Sequence, residues 1–226
     1  MTEGGGFFVT GTDTGVGKTV VTLGLMQYLQ DRGRLVAGMK PVASGCERAP
    51  AGLRNADAVQ LQQQASMPLT YAQVNPVALA APIAPHLAAR RDGVTISLPL
   101  ICQYFDELAV RADCVVVEGV GGWRVPLTER ETVADLAAEL GLDVILVVGI
   151  RLGCLNHALL SAEAIRRDGL TLAGWVANCL PPLPDARDEN INTLRSLLAV
   201  PLLGVVPPLA VPDARGVADV LELQPK

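Results

Sequence analysis

Two hydrophobic periods alternate along the chain. Short, almost wholly aliphatic runs at residues 7–10, 35–39, 114–117, 143–148, 172–177 and 202–206 read as strands buried on both faces. Between them lie longer stretches of helical spacing, near residues 18–31, 57–65, 98–111, 132–140, 155–167 and 188–198. Strand and helix in strict alternation predict an α/β fold, a mostly parallel sheet with right-handed crossovers and helices on both faces. Ligand sites of such sheets lie beyond the carboxyl ends of the strands, so each strand exit is a place to search for chemistry. Residues 43–56 and 68–85 carry Gly, Pro and polar residues without a clear period, and read as loops that face or cover a site.

Composition narrows this picture. A chain of 226 residues can bury one sizeable core, and no repeat or linker divides it, so residues 1–226 are expected to form one domain. The longest plain apolar stretch, residues 144–148, is far short of the roughly 20 residues of a spanning helix. Residues 1–6 hold an acid and three glycines where a secretory signal would be basic and then apolar, so a cytoplasmic location is expected. The five cysteines (Cys46, Cys102, Cys114, Cys154, Cys179) are scattered without a CxxC spacing, and read as reduced, packed thiols. A net charge of −5 without a basic block argues against a general nucleic-acid surface while leaving room for a local positive pocket.

Chemistry concentrates at the strand exits. The first strand leads into Gly11-Thr12-Asp13-Thr14-Gly15-Val16-Gly17-Lys18-Thr19 and then directly into a helix. That is the makeup of a phosphate cradle: Gly15 and Gly17 let backbone N–H groups turn to the phosphates, Lys18 reaches the β/γ phosphates, and Thr19 can ligate magnesium. The loop is one residue longer than GxxxxGK[ST], because the first glycine is Gly11 and not residue 12. The third strand ends in Glu118, followed by Gly119-Val120-Gly121-Gly122, a carboxylate beside a glycine-rich turn that can approach magnesium and the γ-phosphate. Alone, Glu118 reads equally as a cap or a surface acid. The second strand exits through Lys40-Pro41-Val42-Ala43-Ser44-Gly45, placing a second ammonium near Lys18 unless it merely reaches solvent.

Taken together, GTDTGVGKT, MKPVASG, EGVGG, GCLNHALL and WVAN, in this order over roughly residues 7–210, resemble the dethiobiotin synthetase family of P-loop enzymes. The resemblance implies an ATP-dependent ligase that closes 7,8-diaminononanoate and carbon dioxide into a cyclic urea, in biotin synthesis. An amine carbamate is a poor electrophile, so its oxygen must attack the γ-phosphate, giving a carbamic-phosphoric anhydride that the second amine opens. Lys18, Lys40 and magnesium would neutralise the converging anions, with the hydroxyls of Thr14 and Ser44 on the carbamate and the transferring phosphoryl group.

The resemblance further implies a magnesium site of Thr19, Asp57 and Glu118, with Lys40 as catalytic lysine and Ser44 on substrate. It implies ATP contacts from Gly15, Val16, Gly17, Lys18, Thr19, Asp57, Glu118, Gly119, Val120 and Gly121, with Asn178 and the backbone of Pro207, Pro208 and Leu209 at adenine. Two of these have an ordinary alternative: Asp57 follows Asn55-Ala56 before a helix and reads also as a cap, and Asn178 reads also as a turn former. The exit Leu152-Gly153-Cys154-Leu155-Asn156-His157 is another strand-to-helix turn, suited to the far carboxylate of the diamine through Gly153, Cys154 and Asn156, or else an ordinary helix cap. The resemblance implies a homodimer whose site borrows this turn from the partner. His86 and His157 have no candidate co-ligand nearby, and structural roles fit them. A P-loop ATPase switch acting through a partner is the rival reading; such proteins carry an extra lysine five positions before the P-loop lysine, where this chain has Asp13.

Overall fold

The computed structural model describes residues 5–208 and 213–223. Six parallel strands form the sheet in the order β10-β9-β8-β1-β7-β2. They are β1 (Gly5–Gly11), β2 (Val36–Met39), β7 (Cys114–Gly122), β8 (Asp143–Gly149), β9 (Leu172–Asn178) and β10 (Leu202–Val206). The aliphatic runs become strands because both faces are covered. In β8 every residue from Val144 to Gly149 is buried, and Phe8, Val9 and Thr10 of β1 are fully enclosed.

The connecting helices are α1 (Lys18–Gln30), α2 (Ala56–Gln64), α5 (Leu98–Ala109), α6 (Val133–Leu140), α7 (Cys154–Arg167) and α8 (Arg187–Leu197). Local chemistry fixes several of their starts. Ser97 Oγ accepts from Leu100 N–H to open α5, and Thr132 with Asp135 forms a capping box at α6. β1 lies between β7 and β8, and the chain leaves it toward β2 on one side before filling the other with β8, β9 and β10. The winding therefore reverses at β1, which puts the crevice of the sheet at the carboxyl end of the strand that carries the glycine loop.

The two segments expected to be loops contain structure. Residues 43–56 begin at the end of β3 (Val42–Ala43) and include a hairpin of β4 (Glu47–Ala49) and β5 (Gly52–Arg54), while residues 68–85 hold α3 (Tyr71–Val74) and β6 (Val77–Ala78). β3 and β6 pair in parallel, Val42 with Val77 and Ala43 with Ala78. Elements of two to four residues show no period, and pairing partners 35 positions apart leave no local signal. Two further helices, α4 (Pro85–Asp92) and α9 (Ala214–Ala218), are likewise absent from the hydrophobic pattern. β7 also outruns its expected end. Glu118 to Gly122 continue the ladder on β1 in place of a turn, since Val9 faces Glu118 and Gly11 faces Gly122 across an irregularity that gives β7 two extra residues.

Candidate active site

Loop and sheet lock the phosphate cradle in place. Gly17 has φ 86°, and a Cβ there would lie 2.0 Å from Asn178 Nδ2, so both backbone and space demand glycine. The Asn178 amide, at the tip of β9, donates to Val16 O at 2.9 Å and braces the loop from below. Thr12 N–H donates to Val147 O on β8 at 3.0 Å. Asp13 accepts from Thr14 N–H at 2.7 Å and from Arg151 at 2.5 Å, so the position of the switch proteins' extra lysine carries an acid tied to the β8 exit. Lys18 Nζ donates to Asp13 O at 3.1 Å, folding its ammonium back onto the loop. Burial, opposed by Glu118 and reinforced by the positive charge of Lys40, lowers the Lys18 ammonium to about 8.

Three strand exits meet at a charge cluster. Lys40, one residue past β2, donates to Glu118 Oε1 at 2.5 Å and to Asp57 Oδ2 at 2.7 Å. Thr19 Oγ1 donates to the same Glu118 oxygen at 2.9 Å, while Glu118 Oε2 is buried without a donor among the described residues. Burial alone would lower the Lys40 ammonium, but the charges and hydrogen bonds of Glu118 and Asp57 outweigh it and hold it above the ordinary lysine range. Asp57 is not the helix cap: Asn55 caps α2 by accepting from Ala58 N–H at 3.2 Å, which leaves the Asp57 carboxylate free to face Lys40.

This cluster fits a hard divalent cation. Among the described residues no group of three or more His, Cys, Asp or Glu suits a metal, and magnesium asks for less, one or two carboxylates completed by phosphate oxygens. Asp57, Glu118 with its unpartnered oxygen, and the Thr19 hydroxyl offer that oxygen set.

A cleft of about 740 Å³ opens over the cluster, lined by Thr14, Gly15, Gly17, Lys18, Thr19, Lys40, Ser44, Asp57, Glu118, Val120 and Gly121. Ser44 Oγ is buried there without a hydrogen-bond partner among the described residues. The opposite wall is Pro82, Ile83, Ala84 and Pro85, the end of the 68–85 segment expected to face or cover a site; α4, which begins at Pro85, is not among the expected helices, and its one signal is the Pro-x-x-Pro spacing. A second cleft of about 290 Å³ shares Gly17, Thr19 and Asp57 and runs on to Asn178, Cys179, Leu180, Pro181 and Pro207.

Other expected residues lie elsewhere. Val16 and Gly119 are packed beneath the clefts, where a Cβ on Gly119 would lie 3.1 Å from the Phe8 ring; Pro208 lines neither cleft. Leu209 falls outside the described residues. Gly153 and Asn156 are exposed, Cys154 is buried, and none of the three lines either cleft. No side chain caps α7 at that turn, and Cys154 N–H already donates to Arg151 O. His157 is exposed, and His86, on α4, buries an Nδ1 that has no hydrogen-bond partner among the described residues.

A family model described as an AAA domain matches residues 5–214. The chain is 54% identical over 97% of its length, and 96% of the relative's, to the ATP-dependent dethiobiotin synthetase BioD of Pseudomonas paraeruginosa. It is 51% identical to the protein of the same name from Cellvibrio japonicus, again over 97% of this chain and 96% of the relative. Among solved structures, the septum site-determining protein MinD of Pyrococcus horikoshii, complexed with Mg-ADP, aligns with 95% of this chain and 85% of its own, at TM-score 0.54 and 17% identity. That last likeness is one of fold.

Two outcomes follow from the geometry. An anion bound in the loop would raise Lys18 from about 8, so ADP binding should take up a proton near pH 8. ADP affinity should then fall as pH rises above 8, by at most about tenfold per pH unit; calorimetry showing flat affinity between pH 7 and 9.5 would contradict the lowered ammonium. Lys40→Met leaves Glu118 buried without a counter-charge, at a cost of about 3 kcal/mol, or roughly 6–12 °C in Tm for a chain of this size. Added magnesium should recover part of that loss, and an unchanged Tm in EDTA would show that Lys40 does not carry this burden.

Proposed function

This chain belongs to the AAA-domain family matched above and, within it, to the ATP-dependent dethiobiotin synthetases, and we propose that the cleft joining Lys18 to Lys40 is where its ring closure occurs. The enzyme is an ATP-dependent ligase of biotin synthesis. The observation that carries the site assignment is the meeting, in one cleft, of two buried ammonium groups, a buried unpartnered hydroxyl and two carboxylates, continuous with a second cleft past Asn178.

Phosphate groups lie along the Gly15–Thr19 backbone, and adenine lies in the smaller cleft, where Asn178 has a carbonyl oxygen and one N–H left over from its bond to Val16. Thr19, Asp57 and Glu118 would hold magnesium, which supplies positive charge to the β/γ phosphates when bound. Those carboxylate oxygens cannot serve two cations at full strength. Lys40 then gives up Glu118 Oε1, and its ammonium is free to face the carbamate and the transferred phosphoryl group.

One amine of the 7,8-diaminononanoate adds carbon dioxide and loses a proton, giving the carbamate. Ser44 and Thr14 hold it against the γ-phosphate; a carbamate oxygen attacks phosphorus, and ADP leaves. The second amine attacks the carbonyl carbon of the mixed anhydride, phosphate departs, and the ring closes. Lys18 and Lys40 oppose the charge that builds up on the phosphoryl oxygens at both steps.

The 151–156 turn belongs to a different surface. Leu152 is 99% exposed and Leu160 on α7 58% exposed, an apolar flank beside a helix start that no side chain caps. We read this as a dimer face in a cytoplasmic enzyme, with the turn of one subunit, Gly153 to Asn156, receiving the substrate's distant carboxylate in the site of the other. Among the described residues no helix is long and apolar enough to cross a membrane.

Phosphate release should require ATP, bicarbonate and the diamine together, and Lys40→Ala should keep ADP binding while losing at least about 100-fold in kcat. Turnover independent of the diamine would overturn the reading. Mixing Lys40→Ala subunits with subunits whose 153–156 turn is disrupted should restore part of the activity, because one site of each heterodimer is intact. Subunit exchange verified by mass, with no recovery, would remove the shared site and leave the P-loop chemistry standing.

A further inference from the structure

Lys40 and Asp57 reach the cluster from different elements, and a chain of polar groups running behind the larger cleft, through Asn75 and Tyr71 to Asn55, fixes their relation. The Lys40 backbone is held at both ends: its N–H donates to Val74 O at 2.8 Å and its carbonyl accepts from Asn75 Nδ2 at 2.7 Å. Asn75 is 3% exposed and fully used, its amide also reaching Val77 O at 3.3 Å while Oδ1 accepts from Tyr71 Oη at 2.9 Å. Tyr71 Oη in turn accepts from Asn55 N–H at 2.7 Å, and Asn55 is the cap of α2, whose first turn carries Asp57.

Every direction in this chain is determined. A backbone N–H can only donate, so the Tyr71 hydroxyl accepts from Asn55 and must give its own proton to Asn75 Oδ1. That orients the Asn75 amide, and its two N–H groups meet two carbonyls that can only accept. A polar chain with each member satisfied resists deformation, and breaking the link from Tyr71 leaves the buried Asn75 amide without a donor on Oδ1. The two ends of the chain, Lys40 and Asn55, line the larger cleft, whereas its middle members Tyr71 and Asn75 line neither cleft and so act on substrate only through those ends. The Arg54 guanidinium, 4.1 Å from the centre of the Tyr71 ring, holds the ring from its other side.

We propose that Tyr71 and Asn75 are positioning residues of the ligase, setting the register between the end of β2 and the start of α2 so that Lys40 and Asp57 converge. The proposal rests on the roles given above to Lys40 and Asp57. It assigns function to α3, a four-residue helix whose other evident contribution is to bury Val74 in the core.

Tyr71→Phe removes one oxygen and keeps the ring and its stacking on Arg54. Its kcat should fall about 10- to 100-fold with KM for ATP within about twofold, the range seen when a group that orients ligands is lost. The magnesium concentration giving half-maximal activity should rise, as in Asp57→Asn. Tyr71→Phe combined with Asp57→Asn should be little worse than Asp57→Asn alone, because both act on one position. Manganese binding in the presence of ADP, followed by electron paramagnetic resonance, reads the same site without turnover, and Tyr71→Phe should weaken it. Normal kcat and normal manganese binding in Tyr71→Phe would overturn the proposal, as would losses that multiply with Asp57→Asn. If Lys40→Ala keeps its turnover, the parent reading fails instead, whatever Tyr71→Phe does.

Discussion

Glu118 sits 1% exposed in the middle of β7, an interior strand of the sheet, and a carboxylate in such a place is tolerated only if something positive meets it. Lys40 is that partner, at 2.5 Å, and it is itself only 5% exposed, so removing Lys40 would strand Glu118, while removing Glu118 would leave Lys40 with Asp57 alone. In the proposed site the same two carboxylates, Glu118 and Asp57, that hold Lys40 here would also hold the cation of a bound nucleotide. A buried ion pair is weak ground for stability, since packed apolar residues would do as well or better. Its retention here makes sense as a site that holds one cation until another arrives.

The fold brings these charges together with little freedom to spare. Glu118 comes from β7 and Lys40 from the end of the neighbouring edge strand β2, while Thr19 and Lys18 open the helix that follows β1 on the other side of β7. Parallel register fixes their heights, and the winding reversal at β1 opens the crevice above them. The covering segment from β3 to α4 adds Ser44 and the Pro82–Pro85 wall on one side. A nucleotide entering past Asn178 and a small amine acid entering past Ser44 would meet over the same two ammonium groups.

Legibility followed the range of the interactions. The six central strands and their six helices were readable because burial on both faces and a helical stripe repeat over many residues, and Gly11–Thr19 was readable because phosphate binding needs glycines and a lysine in one short stretch. Glu118 and Lys40 could be flagged as charged residues at strand tips, but their 2.5 Å contact joins positions 78 residues apart and leaves no mark on local pattern. Asp57 was ambiguous with a helix cap until Asn55 proved to be the cap. The β3–β6 pair, the β4–β5 hairpin, α3 and α4 were hidden because they are short and held by distant partners. Tyr71 and Asn75 were hidden for a further reason, since a tyrosine and an asparagine among turn residues are unremarkable until their hydrogen bonds are traced.

The central claim is that Lys40 occupies the carboxylates a divalent cation requires and gives up Glu118 when that cation binds. Crystals of the protein with manganese and a non-hydrolysable ATP analogue would test it by anomalous scattering. The account predicts a manganese peak bound by Thr19, Asp57 and Glu118, with the Lys40 ammonium no longer on Glu118 and turned toward the γ-phosphate. A manganese peak away from these three residues, or a Lys40–Glu118 contact unchanged beside the bound nucleotide, would contradict it.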